Sequence, residues 1–213
     1  AMKQRVPAAA VSEKAQWPKI FSGQYGAEIS ALMLSKEKLV HSSLWGGDLE
    51  AFIFQASARG LFRKKDVLFS VADTSVYRLG KKNPFGSILG ARGPYGIFAA
   101  DEKSPLNIWF RKVYQDRYSV PPVGGSYQAA QGVLAAKFAY DKAAAANGGK
   151  FPSQDQVIAA LEGATFQGVA APVHMNRSGG HQAATKHMIG VLEWDKENGQ
   201  PIMTNVAEFG SDC

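Results

Sequence analysis

The sequence predicts an α/β protein built on a parallel sheet, and three observations predict it. Helical and extended patterns alternate from Tyr25 to Ala91: helix, strand, helix, strand, short helix, strand. Such alternation is the mark of right-handed βαβ units. Within it, Val40–Gln55 (VHSSLWGGDLEAFIFQ) turns from strand to helix across Gly46-Gly47. In open α/β sheets ligands sit at such junctions, outside the carboxyl ends of strands and near helix N-termini. Composition agrees: 46% hydrophobic and 20% charged residues in 213 suffice for a packed core, as one large domain or two small ones.

Taken in order, Gln4 to Gln16 is small and apolar in its middle (Val6, Ala8, Ala9, Ala10, Val11), compatible with a strand or a short helix, and Trp17-Pro18 ends it. Ile29, Leu32 and Met33 predict a helix over Tyr25–Glu37, with Lys36 and Lys38 where the helix dipole favours cations. Leu39–Ser43 reads as a strand. Asp48 is predicted to cap a helix through Arg59 with Leu49, Phe52, Ile53 and Ala56 on one face, and Gly60 to close it. Asp66–Ala72 (DVLFSVA) is a second buried strand, Asp73-Thr74-Ser75 a polar turn, and a short helical piece runs to Leu79. After the loop Gly80–Phe85, Gly86–Ala91 is the third strand.

Arg92–Ala100 breaks this rhythm. Gly93, Pro94 and Gly96 puncture what would otherwise be a strand, so the segment reads as a hinge or domain crossing. Beyond it, Ser104 caps and Pro105 opens a helix with Ile108, Trp109, Val113 and Tyr114 on a broad apolar face, stopped at Val120-Pro121-Pro122. Ser126–Ala146 is a long Ala-rich helix with Tyr127, Ala130, Leu134 and Phe138 aligned, ended by Asn147-Gly148-Gly149. Ser153–Gln156 forms a capping box for a helix through Leu161, closed by Gly163. The remainder reads as β: Phe166–Val169, Val173–Met175, His187–Trp194 and Pro201–Val206, with turns at Asn176–Gly180 and Asp195–Gly199.

Several chemistries find no residues. The charge of +6 is scattered; Arg63-Lys64-Lys65 and Lys81-Lys82 carry no interleaved aromatics, which disfavours nucleic acid. Cys213 is the one cysteine, which excludes an internal disulfide. No apolar run approaches membrane-spanning length. No secretory leader is read at the start, where Ala1-Met2 looks like an expression remnant. There is no Gly-x-Ser-x-Gly elbow and no phosphate loop, and Gly90, Gly93 and Gly96 have the wrong spacing for a dinucleotide. His174, His181 and His187 lack a carboxylate at a spacing that would complete a metal site. Asp101-Glu102 reads as loop charge. No cofactor, metal or catalytic group is therefore expected, and an enzyme is the least supported class.

Three stretches carry a family resemblance: SSLWGGDLEAFIFQASARGLF (Ser42–Phe62), YQDRYSVPPVGGSYQAAQGVLAAKFAYDKA (Tyr114–Ala143) and ATFQGVAAPVHMNRSGGHQAATKHMIGVLEW (Ala164–Trp194). Their order and spacing resemble the C-terminal half of a type I periplasmic solute-binding protein of the branched-chain amino acid class, served by ABC importers, from about Val6 to Phe209. The resemblance implies an α/β/α lobe with a parallel sheet, plus a helical part of a second lobe, closing on a small polar solute. It divides the chain into 1–91 in the second lobe, 92–100 as crossing, 101–186 in the first lobe and 187–213 returning. It also implies that the family's first half, with much of the ligand-holding surface, is not in these residues, leaving at most half a site.

The same resemblance supplies site candidates. Trp45, with Gly46, Gly47 and Asp48, stands where the family places an aromatic wall; the alternative is that Trp45 caps a core. Ala72-Asp73-Thr74 stands where members place a ligand-facing polar or acidic residue. Asp73 either pairs an amino acid's ammonium or caps the short helix after it. Tyr95, in the crossing, completes the set. The implied function is solute capture for an importer with permease partners in the periplasm, the solute being a branched-chain or other amino acid, or a small carboxylate or amide. The alternative is the sensing domain of a regulator with the same fold. Because Trp109, Phe110, Val113, Tyr114, Leu134 and Phe138 would lack the first lobe's sheet, a homodimer is expected to bury them, by exchange of the segment after Arg92–Ala100.

Overall fold

A computed structural model describes residues 15–177 and 182–210. The segment Val6–Val11, the turn residues Ser178–His181 and Cys213 lie outside the described residues. The chain splits into two compact units, Ala1–Gly90 with Gly190–Asn205, and Ala91–Ile189 with Val206–Cys213.

The first unit carries α1 (Gly26–Leu34), β1 (Leu39–Ser42), α2 (Gly46–Ala58), β2 (Asp66–Phe69), the short α3 (Val76–Leu79) and β3 (Ile88–Ala91). With β7 (His187–Asp195) and β8 (Gln200–Phe209) these strands form a five-stranded sheet in the order β1-β2-β3-β7-β8. β1 and β2 are parallel, from Leu39 opposite Asp66 to Ser42 opposite Phe69, and β2 and β3 are parallel as well. The predicted βαβ series is thus the observed one. Burial alternates along the strands: Val40, Ser42, Val67, Phe69 and Leu89 are buried, while Leu39 and His41 are exposed. The most deeply buried strand residues, Val40, Val67, Phe69 and Leu89, therefore share one face of the sheet, while Leu68 and Ile88 are half-buried on the other.

The apolar face of α2 (Leu49, Phe52, Ile53, Ala56) is buried as predicted, and Tyr25 meets the Phe52 ring edge-on with centroids 6.0 Å apart. The polar side of α2 holds the segment before α1. Gln55 Oε1 accepts from the Tyr25 amide at 2.9 Å, Gln55 Nε2 donates to the Gly23 carbonyl at 2.9 Å, and Arg59 donates to the Gly26 carbonyl at 2.8 Å. α1 stops at Leu34, short of the predicted Glu37, because Ser35 turns extended. Lys36 and Lys38 thus fall outside the helix, and the Lys65 ammonium donates instead to the Ser35 and Glu37 carbonyls, at 2.7 and 2.5 Å.

The second unit contains a 3-10 turn at Gly96–Ala99, α4 (Pro105–Tyr118), α5 (Gly124–Ala146) and α6 (Gln154–Leu161). β4 (Thr165–Gln167), β5 (Pro172–Met175) and β6 (Ala183–Ala184) make an antiparallel sheet. The caps are as predicted: Ser104 accepts from the Asn107 amide, and Ser153 and Gln156 form the reciprocal capping box. The two-residue β6 is an addition; Ala183-Ala184 has no strand propensity and pairs because β5 offers an edge. Tyr95, Ala99, Tyr127, Val169 and Ala170 form the core, with Phe110, Ala130 and Leu134 packed on it. Inside it, fully buried Asn107 donates to the Ala99 and Glu102 carbonyls at 2.9 and 2.8 Å and accepts from the Tyr127 hydroxyl at 2.7 Å.

Candidate functional site

In the first unit, the carboxyl ends of β1 and β2 bring together most of the residues the sequence singles out. β1 ends at Ser42, whose hydroxyl accepts from the Leu44 amide and whose carbonyl accepts from the Ser70 amide at the end of β2. Directly after Leu44, Trp45 ends the turn. It is extended (φ −144°, ψ 163°), acts as N-cap of α2 without a side-chain cap, and its carbonyl accepts from Leu49. Its indole is 62% exposed, so it does not cap a core. Gly46 enters the helix at φ +57°, where a side chain is strained, and nothing lies within 4 Å of a Cβ built on Gly46 or Gly47. The surface over this helix start is open.

The second turn is tied to the first. The fully buried Ser75 donates from its hydroxyl to the Gly46 carbonyl at 3.4 Å. Ala72–Thr74 forms a 3-10 turn after β2, with the Thr74 hydroxyl donating to the Val71 carbonyl at 3.1 Å. Ala72 and Asp73 are buried and Thr74 half-buried. One pair was not anticipated: exposed His41 of β1 hydrogen-bonds through Nε2 with the Ser70 hydroxyl. The clue in the sequence is His41 at an outward position of an otherwise apolar strand.

Asp48 has a different place from the expected cap. It sits in the first turn of α2, and its carboxylate accepts from the Phe21 amide at 2.8 Å. The Tyr25 hydroxyl beside it, then this amide, hold the Asp48 carboxyl below the usual carboxylate range. Burial, and next Asp48, push the Tyr25 phenol above its ordinary value. Asp48 thus fixes the chain ahead of α1. Glu50 is paired with Arg78.

Tyr95 belongs to the second unit and is 6% exposed, its ring stacked on Tyr127 with centroids 5.9 Å apart. Burial raises its phenol above the ordinary value, while hydrogen bonds with Gln131 and Thr185 act the other way. Its ring and hydroxyl are both committed to that unit's interior. Of the histidines weighed for metal, His174 pairs with Thr165 at 3.0 Å and His187 is exposed on β7. Among the described residues no helix is long and apolar enough to cross a membrane.

A family model described as periplasmic binding protein matches residues 13–200. No curated protein matches. Among solved structures, a solute-binding protein of an ABC transporter from Rhodopseudomonas palustris BisB5, in complex with 3,4-dihydroxybenzoic acid, superposes with TM-score 0.72 at 17% identity over 89% of this chain and 50% of that one. A leucine-binding protein from Thermotoga maritima MSB8 gives 0.64 at 14% identity over 87% and 49%. The leucine-, isoleucine-, valine-, threonine- and alanine-binding protein of Brucella ovis gives 0.62 at 15% identity over 91% and 48%. The chain spans about half the length of these structures. At such identities they speak for the fold alone. The family model, matched over most of the chain, goes further: this chain belongs to the periplasmic binding protein family.

Proposed function

We propose that this chain is part of the extracytoplasmic solute-binding component of an ABC importer, working with permease subunits and doing no chemistry. The ligand is a small carboxylate, either an amino acid or an aromatic acid, held at the carboxyl ends of β1 and β2. The observation that carries this reading is Trp45: a large flat side chain, 62% exposed, standing at a strand end beside open space over Gly46 and Gly47. An indole left in water at such a junction is suited to stacking on a ring or covering an aliphatic chain. Thr74 and the backbone of Ala72-Asp73 flank it. The similar structures hold dihydroxybenzoate or are named for leucine and other aliphatic amino acids, ligands that share a carboxylate and an apolar body.

Asp73 decides between the two ligand classes. If its carboxylate turns toward the ligand, an ammonium is bound and the solute is an amino acid. If it stays within its turn, no other acid is open on this face, because Asp48 and Glu50 are engaged, and an aromatic acid fits better. The alternative role, a sensing domain of a regulator, uses the same face.

The test is titration of the isotopically labelled chain with benzoate, 4-hydroxybenzoate, leucine, isoleucine and valine, followed by NMR. Binding by this chain alone is expected to be in the millimolar range. One ligand should shift the Trp45 indole and the Gly46, Gly47 and Thr74 amides together. Trp45→Ala should abolish the shifts and leave the melting temperature within a degree or two. Shifts elsewhere, or shifts that persist in Trp45→Ala, would overturn the assignment.

A further inference from the structure

Cations that lie scattered along the sequence are gathered by the fold of the first unit. β1, β2 and β3 run parallel, so their amino ends form one end of the sheet. The segments that lead into them, 35–38, 59–66 and 80–87, hold eight Lys and Arg against two acids, Glu37 and Asp66. Two of the eight are committed to backbone, Arg59 to the Gly26 carbonyl and Lys65 to those of Ser35 and Glu37. The other six, Lys36, Lys38, Arg63, Lys64, Lys81 and Lys82, are exposed. Neighbouring strands lie about 4.8 Å apart, so the three segments enter the sheet within roughly 10 Å of one another, about one Debye length in 0.1 M salt. Their charges therefore add. The segments that leave the carboxyl ends of β1 and β2, 43–48 and 70–75, carry Asp48 and Asp73 and no cation.

The same end carries aromatic rings. The Lys82 ammonium sits 5.2 Å from the centroid of Phe54, which is 45% exposed, and the Lys81 ammonium 5.7 Å from that of Trp194. Trp194 is half-buried, with Phe85 beside it at 5.7 Å. Trp194 brings with it Glu193 and the turn Asp195-Lys196-Glu197, and cations still outnumber acids at this end nine to five. Asp195 is engaged within its own turn, where it accepts from the Glu197 and Asn198 amides.

We propose that this end of the sheet docks on the surface of a bilayer containing anionic phospholipid, with Trp45 and the carboxyl ends of the strands turned away from it. Three features select that partner. The six exposed cations stand in a row on three separate loops, which suits a plane of phosphates better than one small anion. Lysines beside half-covered aromatic rings match the boundary between headgroups and acyl chains, where ammonium meets phosphate and the ring meets the apolar edge. Further chain of the same protein is a poor cover, because each cation buried under it would need its own acid. Lipid rather than nucleic acid rests on the extracytoplasmic reading given above.

Vesicle co-sedimentation tests the docking, with equimolar phosphatidylglycerol and phosphatidylcholine against phosphatidylcholine alone. The chain should bind the anionic vesicles at least about tenfold more tightly at low ionic strength, and salt should weaken the binding. Lys81→Glu with Lys82→Glu should weaken it at least about tenfold. Lys103→Glu with Lys150→Glu, the same change of charge at exposed positions of the second unit, should leave it within about threefold. Orientation is read by energy transfer to a dansyl headgroup lipid from chains that keep a single tryptophan: Trp194 should transfer more than Trp45. This second readout stands even if the charge variants fail to fold. No binding to anionic vesicles, the result expected of a surface built for an acidic protein, would overturn the proposal. So would equal losses in the two double variants, or equal transfer from Trp45 and Trp194. Solute titration is a separate readout, so either proposal can fall without the other.

Discussion

Replacing Asn107 by Leu should cost the second unit about 1.5–4.5 kcal/mol, and the structure supplies the reasoning. Asn107 is fully buried, and Leu has the same branched skeleton with bulkier ends, so no cavity is created. What changes is the hydrogen bonding. Nδ2 satisfies the Ala99 and Glu102 carbonyls, and Oδ1 satisfies the Tyr127 hydroxyl. Glu102 is half-exposed, so water can reclaim its carbonyl, but Ala99 and Tyr127 are fully buried. Arg111 lies 3.4 Å from the Tyr127 oxygen and, being itself a donor, cannot accept its proton. Three hydrogen bonds are lost, at roughly 0.5–1.5 kcal/mol each, while the Ala99 carbonyl keeps the Glu102 amide at 3.3 Å and the Tyr127 hydroxyl keeps Arg111. The assay is urea denaturation in a background with Trp17, Trp45 and Trp194 changed to Phe, so that Trp109, on the same helix as Asn107, reports alone. Tyr127→Phe should cost about 1–2 kcal/mol, and the double variant less than the sum because the groups share one bond. A loss below about 1 kcal/mol for Asn107→Leu, or strict additivity, would refute the reasoning.

Other expectations follow the same logic. The raised phenols of Tyr25 and Tyr95 contribute stability that is whole below the ordinary value of 10.0 and is lost as pH rises through their folded values; Tyr95→Phe should flatten that alkaline loss in a series of melts. Asp48 has the opposite sign: its lowered carboxyl contributes above the ordinary 3.8 and loses that contribution as pH falls toward its folded value, and Asp48→Asn should blunt this acid limb. Gly93→Ala should destabilise the second unit by about 1–3 kcal/mol, because a Cβ there meets the buried Tyr95 ring at 2.3 Å; an unchanged melt would mean the ring moves freely. Ser153→Ala should cost about 1 kcal/mol by removing the capping box, as read by thermal melting.

Much of the fold is legible because its strands and helices state themselves locally. β1, β2 and β3 are short apolar runs between polar or glycine punctuation, and α2 shows its core face at helical spacing. Caps at Ser104 and Ser153 are readable because their chemistry lies within four residues. Legibility stops where a distant partner decides. Lys36 and Lys38 look like C-terminal helix charges, yet Lys65, thirty residues away from Ser35, takes the carbonyls there and the helix ends early. β6 exists only because β5 presents an edge.

The site divides along the same line. A strand end, a Gly-Gly turn and an aromatic residue are a local signal, and Trp45 is where that signal puts it, exposed at the start of α2. Asp48 and Tyr95 have the right residue types for ligand contact, but their commitments come from far along the chain. Asp48 is claimed by the Phe21 amide, and Tyr95 by Tyr127, Gln131 and Thr185. A polar side chain near a predicted site therefore counts for recognition only after its intramolecular partners are counted, since a group already engaged must break that bond before it can bind a solute. By that measure Trp45 is the strongest candidate on this face: among the described residues its indole makes no hydrogen bond that a ligand would have to break, and more than half of its surface is open to be covered.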